Sequence, residues 1–257
     1  MLKINEEKSV ERMTEWMQKV FRKSGFSKAV LGLSGGIDST VVAYLAVQAL
    51  GKENLTCVKM PYKTSSQSSI SDADYIIEIL GVKSRTVDIS PAVDAFAASL
   101  KGVDPARLGN IMARVRMTVL YDMSAELEAL VLGTSNKTER LLGYGTLHGD
   151  LASIVNPIGD LYKNQVWDIA RYLKIPQEII DKKPSADLIE GQTDENDFGF
   201  TYRQADDVLD SIMDEKKSRL ETVNLGYTMD QIDEVLNRVS GNKYKGEVPY
   251  IFELRQF

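Results

Sequence analysis

The stretch "VLGLSGGIDSTVVAYLAVQAL", Val30 to Leu50, constrains the fold more than any other. Its apolar run reads as a buried strand, breaks at Ser34-Gly35-Gly36, and resumes as an apolar helix. A strand that enters a helix through a glycine turn begins a parallel βαβ unit. The turn itself is an anion cradle, because backbone N–H groups point outward at the positive end of the helix. The ordinary loop of this kind ends in G-K-[ST], and its lysine reaches the terminal phosphates. Here the lysine is missing and a carboxylate, Asp38, stands just after the glycines. Asp38 would repel a phosphate directly. It makes sense as a ligand of Mg²⁺, which prefers carboxylate together with phosphate oxygens. The plainer alternative is that Asp38 or Ser39 only caps the helix.

The rest of the chain keeps the same rhythm. Residues 8–24 place Val10, Met13, Met17, Val20 and Phe21 on one helical face. Strands are expected at 28–34, 54–61, 84–90 and 129–135. Helices are expected at 38–50, 69–80, 91–100, about 107–128, from about 162 onward, at about 203–220 and at 229–240. Between the last strand and Tyr162 runs a long loop, Gly-rich at 143–149. Alternating strands and helices imply a doubly wound parallel sheet flanked by helices, in a single α/β domain. Such sheets bind ligands beyond the carboxyl ends of their strands, where loops 34–38 and 134–139 fall. Residues 1–257 divide into an N-terminal helix at 8–24, a core over about 28–175, and a C-terminal helical region. The acidic segment 187–201 is the candidate for a mobile lid.

Composition excludes several classes. With 43% hydrophobic and 26% charged residues the chain reads as globular and soluble. No run approaches the roughly 18 apolar residues of a membrane span, and the charged N-terminus lacks a signal-peptide core. A net charge of −6 argues against nucleic-acid partners. Cys57 is the only cysteine, so no internal disulfide forms and a cytoplasmic location is expected. It sits in an apolar strand and reads as buried and inert.

The loop "LSGGIDS" resembles the pyrophosphatase loop of the N-type ATP pyrophosphatases, which have an adenine nucleotide alpha hydrolase-like fold. These enzymes cleave ATP to AMP and pyrophosphate. Five further segments, "GNIMARVRM", "LGTSNKTE", "NPIGDLYK", "KKPSADL" and "DENDFGFTY", follow in order. Together the six resemble ammonia-dependent NAD synthetase over nearly the whole chain. That resemblance implies a homodimeric ligase that adenylates the nicotinate carboxylate of deamido-NAD. Ammonia then displaces AMP to give the amide of NAD. Mg²⁺ is the implied cofactor and ATP the co-substrate.

The resemblance also distributes roles over residues. Gly32, Leu33, Ser34, Gly35, Gly36, Ile37, Asp38 and Ser39 form the ATP loop, joined by Thr134, Lys163 and Ser185. Asp38 and Glu139 are the implied metal ligands, and Asp38 and Lys163 the catalytic pair. Arg114, Tyr244 and Lys245 are the implied deamido-NAD contacts. Helical spacing supports the choice of Arg114, since Arg116 falls in the apolar stripe of Met112, Val115, Val119 and Met123 and reads as an internal ion-pair partner. The chain departs from the family in places. Tyr244 replaces a histidine, Leu147 a lysine, and Ile154 an aspartate. His148, the single histidine, has no motif support and reads as a loop residue. Two other readings stand: another amidating ATP pyrophosphatase such as a GMP-synthetase-like subunit, or a catalytically silent nucleotide sensor. Retention of both Asp38 and Glu139 disfavours the sensor.

Overall fold

The computed structural model describes residues 3–185 and 193–250. The chain opens with α1 (Glu6–Ser24), β1 (Lys28–Gly32), α2 (Ile37–Leu50), β2 (Leu55–Lys59), α3 (Gln67–Leu80) and β3 (Lys83–Thr86). Next come α4 (Ser90–Ser99), α5 (Pro105–Leu127), β4 (Ala129–Leu132), α6 (Lys137–Leu142), α7 (Lys163–Tyr172) and α8 (Gln177–Asp181). The C-terminal part holds α9 (Asp194–Phe198), α10 (Tyr202–Leu209), α11 (Arg219–Thr222) and α12 (Met229–Asn242). None of the described helices is long and apolar enough to cross a membrane.

The four strands form one parallel sheet in the order β3-β2-β1-β4. Alternation of side chains along the strands builds a core on each face. Ala29, Leu31, Leu55, Cys57, Leu130 and Leu132 pack with α1, α2, α3 and α7. Val30, Val58 and Val131 point the other way and pack with Met123, Val119 and Leu120 of α5. All four residues of β4 are buried, whereas all four of β3 are exposed. Full burial of a Val or Leu is worth about 1.5–3 kcal/mol, so β4 is held by its side chains. β3 is a short, charged edge strand, a pattern that discourages pairing with other chains. It is clamped by Arg85, whose guanidinium meets Glu126 at 2.6 and 2.9 Å.

From β1 the chain steps outward to β2 and β3, then returns across β1 to β4. The direction of travel therefore reverses between β1 and β4, and the loops leaving their carboxyl ends diverge there. A sheet of this kind opens its ligand crevice at that point.

Several expected boundaries shift. β3 ends at Thr86 rather than Ser90, because Asp88 accepts the Ser90 amide at 2.9 Å as α4 begins. The segment 203–220 is not one helix. α10 passes into a π-helical turn at Asp210–Asp214, reverses at left-handed Lys216, and α11 restarts behind a Ser218 cap. The long loop after β4 contains α6. Of the acidic segment, 187–192 lie outside the described residues. Residues 194–198 are not loop but α9, capped by Thr193, with Phe198 and Phe200 buried against Tyr202.

Candidate active site

The turn after β1 has one shape and little tolerance. Gly35 is left-handed, at φ +76°, and a Cβ there would overlap the Ser69 carbonyl oxygen of α3. Only glycine satisfies both demands. Gly36 follows as the N-cap of α2 and gives it no side-chain cap. The first-turn N–H groups of α2 have no helical partners, and Gly36, Ile37, Asp38 and Ser39 all line the cavity beyond the sheet. Hydroxyls stiffen the loop from below. Ser39 Oγ donates to the Gly36 carbonyl at 3.0 Å and lies 3.0 Å from Ser34 Oγ, while Thr40 Oγ1 donates to the same carbonyl at 2.9 Å.

Across the crevice, α6 is short and tightly started. Asn136 Oδ1 accepts the Glu139 amide at 3.0 Å, and Glu139 Oε2 accepts the Asn136 amide at 3.1 Å. This reciprocal capping box fixes the Glu139 side chain at the helix entrance. Asn136 has a second task, since its Nδ2 donates to Asp38 Oδ1 at 2.9 Å. The loops from β1 and β4 are thus joined through one amide.

Lys163 closes the group from the start of α7. Its Nζ stands 2.5 Å from Asp38 Oδ2 and 3.7 Å from Glu139 Oε1. The Lys163 side chain is only 2% exposed, against 17% for Asp38 and 15% for Glu139. The Tyr202 and Trp167 rings lie 5.0 and 5.7 Å from the ammonium. Burial alone would lower the Lys163 pKa. The Asp38 and Glu139 carboxylates beside it outweigh burial and raise it, so the lysine stays charged. Glu139 is pushed well above the usual carboxylate range, first by burial and then by the Asp38 charge, with Lys163 opposing. Asp194 is also raised by burial, although the Tyr202 and Tyr144 hydroxyls donate to it at 2.7 and 2.9 Å. Three carboxylates, Asp38, Glu139 and Asp194, thus act on one lysine, while Lys59, Lys182, Lys183, Arg116 and Arg238 line other parts of the cavity.

The cavity measures about 1100 Å³. Ligand pockets run from roughly 300 to 1,000 Å³, so this one lies at the large end of that range. Gly32, Leu33, Ser34, Thr134 and Ser185 line it with Asp38, Ser39, Glu139 and Lys163. Gly35 stands behind the wall as its hinge. Asp38 and Glu139 are hard oxygen donors facing the same space, a set that suits Mg²⁺ when phosphate oxygens complete the shell.

Arg114 and Arg116 of α5 reach different places. Arg116 lines the cavity and donates from Nε to the Met60 carbonyl at 3.1 Å. The inward face of α5 overhangs the carboxyl edge of the sheet at this turn, so facing inward means facing the crevice. Arg114 is outside the cavity lining and donates to the Leu147 carbonyl at 3.2 Å. Tyr244 and Lys245 are outside it too. Lys245 Nζ donates to the Gly143 and Gly145 carbonyls at 2.6 and 3.0 Å, which ties the C-terminal segment to the Gly-rich loop. Ile154 is half exposed, and His148 is exposed with a left-handed backbone. Cys57 is fully buried, and burial pushes its thiol up to about 12.

Sequence reasoning missed Asn136, Asp194 and Tyr202 as parts of the site. For Asn136 a signal existed: "NKTE" is a capping box, which also announces α6. Tyr202 and Asp194 come from the far end of the chain, and only tertiary packing brings them to Lys163.

Comparison with known proteins adds the following. A family model described as NAD synthase matches residues 9–249. The NH(3)-dependent NAD(+) synthetase of Fusobacterium nucleatum is 48% identical over 255 residues, 99% of each chain. Among solved structures, an NMN synthetase from Francisella tularensis superposes with a TM-score of 0.88 at 31% identity, covering 98% of this chain and 100% of that one. The NH3-dependent NAD synthetase from Campylobacter jejuni, in complex with the nitrate ion, gives 0.83 at 35% identity with the same coverage.

Proposed function

Since this chain belongs to the NAD synthase family, we propose that it makes NAD from deamido-NAD and ammonia at the expense of ATP. It is a ligase that forms a C–N bond. The observation that carries the reading is the meeting of Asp38, Glu139 and Lys163 under a glycine loop, at the wall of a large cavity.

A carboxylate resists ammonia because its oxygen is a poor leaving group. Transfer of AMP from ATP onto the nicotinate carboxylate gives the mixed anhydride and releases pyrophosphate. Ammonia then attacks the activated carbonyl, the C–O bond to AMP breaks, and a proton leaves the nitrogen. No protein nucleophile is required. The protein aligns the carboxylate with the α-phosphate, balances charge and excludes water.

The amides from Gly36 to Ser39, with Ser34, Thr134 and Ser185, hold the triphosphate. Lys163 moves from its carboxylate partners toward the pyrophosphate as charge grows there. Asp38 and Glu139 would hold Mg²⁺, which supplies charge neutralisation of the phosphates. Two carboxylates from neighbouring strand ends, both lining the cavity, support this.

The position of Arg114 outside this chain's cavity supports a homodimer with the dinucleotide at or near the interface, where Tyr244 and Lys245 add contacts. Light scattering at assay concentration checks this, and a fully active monomer would refute it. The single cysteine supports a cytoplasmic location.

The likeness to the Francisella NMN synthetase favours one second reading, amidation of nicotinic acid mononucleotide. The test is to offer ATP, Mg²⁺ and ammonia with deamido-NAD, the mononucleotide or XMP, and to weigh the products. Formation of NAD with AMP and pyrophosphate is expected. Preference for either other acceptor replaces the substrate assignment, and no product from any acceptor overturns the ligase reading.

A further inference from the structure

Two buried groups behind the site touch neither the cavity nor each other's main chain, yet they join its working parts. Asp206, on α10, is completely buried. Its Oδ1 accepts from Thr138 Oγ1 at 2.5 Å, and its Oδ2 accepts from Asn164 N and Nδ2 at 2.8 and 2.7 Å. Thr138 Oγ1 in turn accepts the Lys163 amide at 2.9 Å. Neither Asp206 nor Thr138 lines the cavity. Each nevertheless holds a residue that does, for Thr138 precedes Glu139 and Asn164 follows Lys163.

We propose that Asp206 is a positioning residue that works through Thr138 and Asn164, locking the first turns of α6 and α7 so that Glu139 and Lys163 converge on Asp38. The assignment rests on the synthetase reading of that site.

The hydrogen-bond directions explain why a carboxylate stands here. Thr138 already accepts from Lys163, so its own proton points to Asp206. Asn164 offers two further protons. All three donors meet an acceptor-only group. An asparagine of the same shape would set its NH₂ against one of them and leave a buried donor unpaired. Tyr202 is one helical turn before Asp206, on the same face of α10. That helix therefore supports Lys163 twice, with a ring under the ammonium and a carboxylate under the backbone. The network couples the C-terminal region to the charge cluster 30 or more positions away in sequence, and gives the otherwise costly burial of an acid a function.

The test uses the full chain with Asp206→Asn, Thr138→Val, Thr138→Ser and the Asp206→Asn/Thr138→Val pair. Turnover is measured with KM for both nucleotides. Calorimetric titration with ATP and Mg²⁺, without the second substrate, gives affinity and the number of competent sites. Asp206→Asn and Thr138→Val should each lower kcat roughly 10- to 100-fold, as displaced catalytic groups do, with KM for deamido-NAD little changed. Both should weaken Mg·ATP binding several-fold at unchanged stoichiometry. Thr138→Ser keeps the hydroxyl and should stay near wild type, and the double variant should be no worse than the worse single one. If Asp206→Asn does not fold, the two Thr138 variants decide. Wild-type kcat and affinity in the folded variants overturn the proposal. So does a loss seen only as fewer competent sites, or equal damage from Ser and Val. If the wild type makes no NAD, the synthetase reading falls, while the calorimetric arm still decides whether Asp206 positions the nucleotide site.

Discussion

Lys163 is buried, charged and shared between two acids, and that decides how substitutions in the cluster divide stability from activity. Glu139 has its proton affinity raised by burial and by Asp38. An acid whose pKa is raised on folding stabilises the protein fully below its unfolded pKa and loses that contribution as pH climbs through the folded value. Above that folded value the ionised Glu139 is therefore a cost. Glu139→Gln removes it and keeps a capping-box acceptor for the Asn136 amide. We expect the stability of Glu139→Gln relative to wild type, read by urea unfolding across a pH series, to rise as pH rises and to fall back as pH falls. Its turnover should fall by roughly 10²–10³, the usual effect of removing one preorganised electrostatic group. Asp38→Asn should lose turnover comparably. It should also lose stability, because Lys163 then loses its nearest carboxylate and keeps Glu139 at 3.7 Å. Full activity in either folded variant would sink the metal assignment. At this scale the sequence was informative where a residue sits in the loop that names its task, as Asp38 does. It was incomplete for Arg116, because helical periodicity reports which way a side chain faces and not that a cavity lies there.

α6 shows what one short helix contributes and why it escaped notice. Six residues are too few for a periodic apolar pattern, so only the cap could announce it. The cap is also the link between the two sides of the crevice, and the two tasks of Asn136 are separable. Asn136→Ala removes both and should cost about 1 kcal/mol of stability along with much of the turnover. Asn136→Ser keeps a capping oxygen but loses the reach to Asp38. It should recover stability to within a few tenths of a kcal/mol of wild type while turnover stays low. Parallel loss and recovery of the two properties, read by urea unfolding and NAD formation, would show that the amide serves α6 alone. The longer elements were legible for the reason α6 was not. β1, β2 and β4 are largely apolar, α1 and α12 carry an apolar stripe long enough to declare itself, and α2 is apolar all round. The break at Asp210–Asp214 was hidden, since a π-helical turn keeps a helix-like composition and changes only the hydrogen-bond partner.

For the molecule as a whole, the source of nitrogen turns on which nucleophiles these 257 residues offer. Use of glutamine requires a nucleophile to take up its acyl group, and in this chemistry that group is a reactive thiolate. The one cysteine, Cys57, lies in the second strand with no exposed surface, and burial holds its thiol protonated up to about pH 12. It can neither reach glutamine nor ionise at working pH. Among these residues no thiol can draw nitrogen from glutamine; free ammonia is the predicted nucleophile, and only NH₃ carries the lone pair that attacks the adenylate. At fixed total ammonium, well below saturation, the rate should rise with pH by roughly tenfold per unit while free NH₃ remains the minor form. Rising pH also ionises Glu139, which favours the cation rather than the proton at that carboxylate and so works in the same direction. The two effects part at saturating ammonium, where the NH₃ term vanishes and only the ionisation of the site remains. Labelled ammonium should appear in the amide of NAD, and labelled glutamine offered to the purified chain should not. Efficient label transfer from glutamine, or a rate at low ammonium that is flat in pH, would overturn the assignment of ammonia as the reacting species.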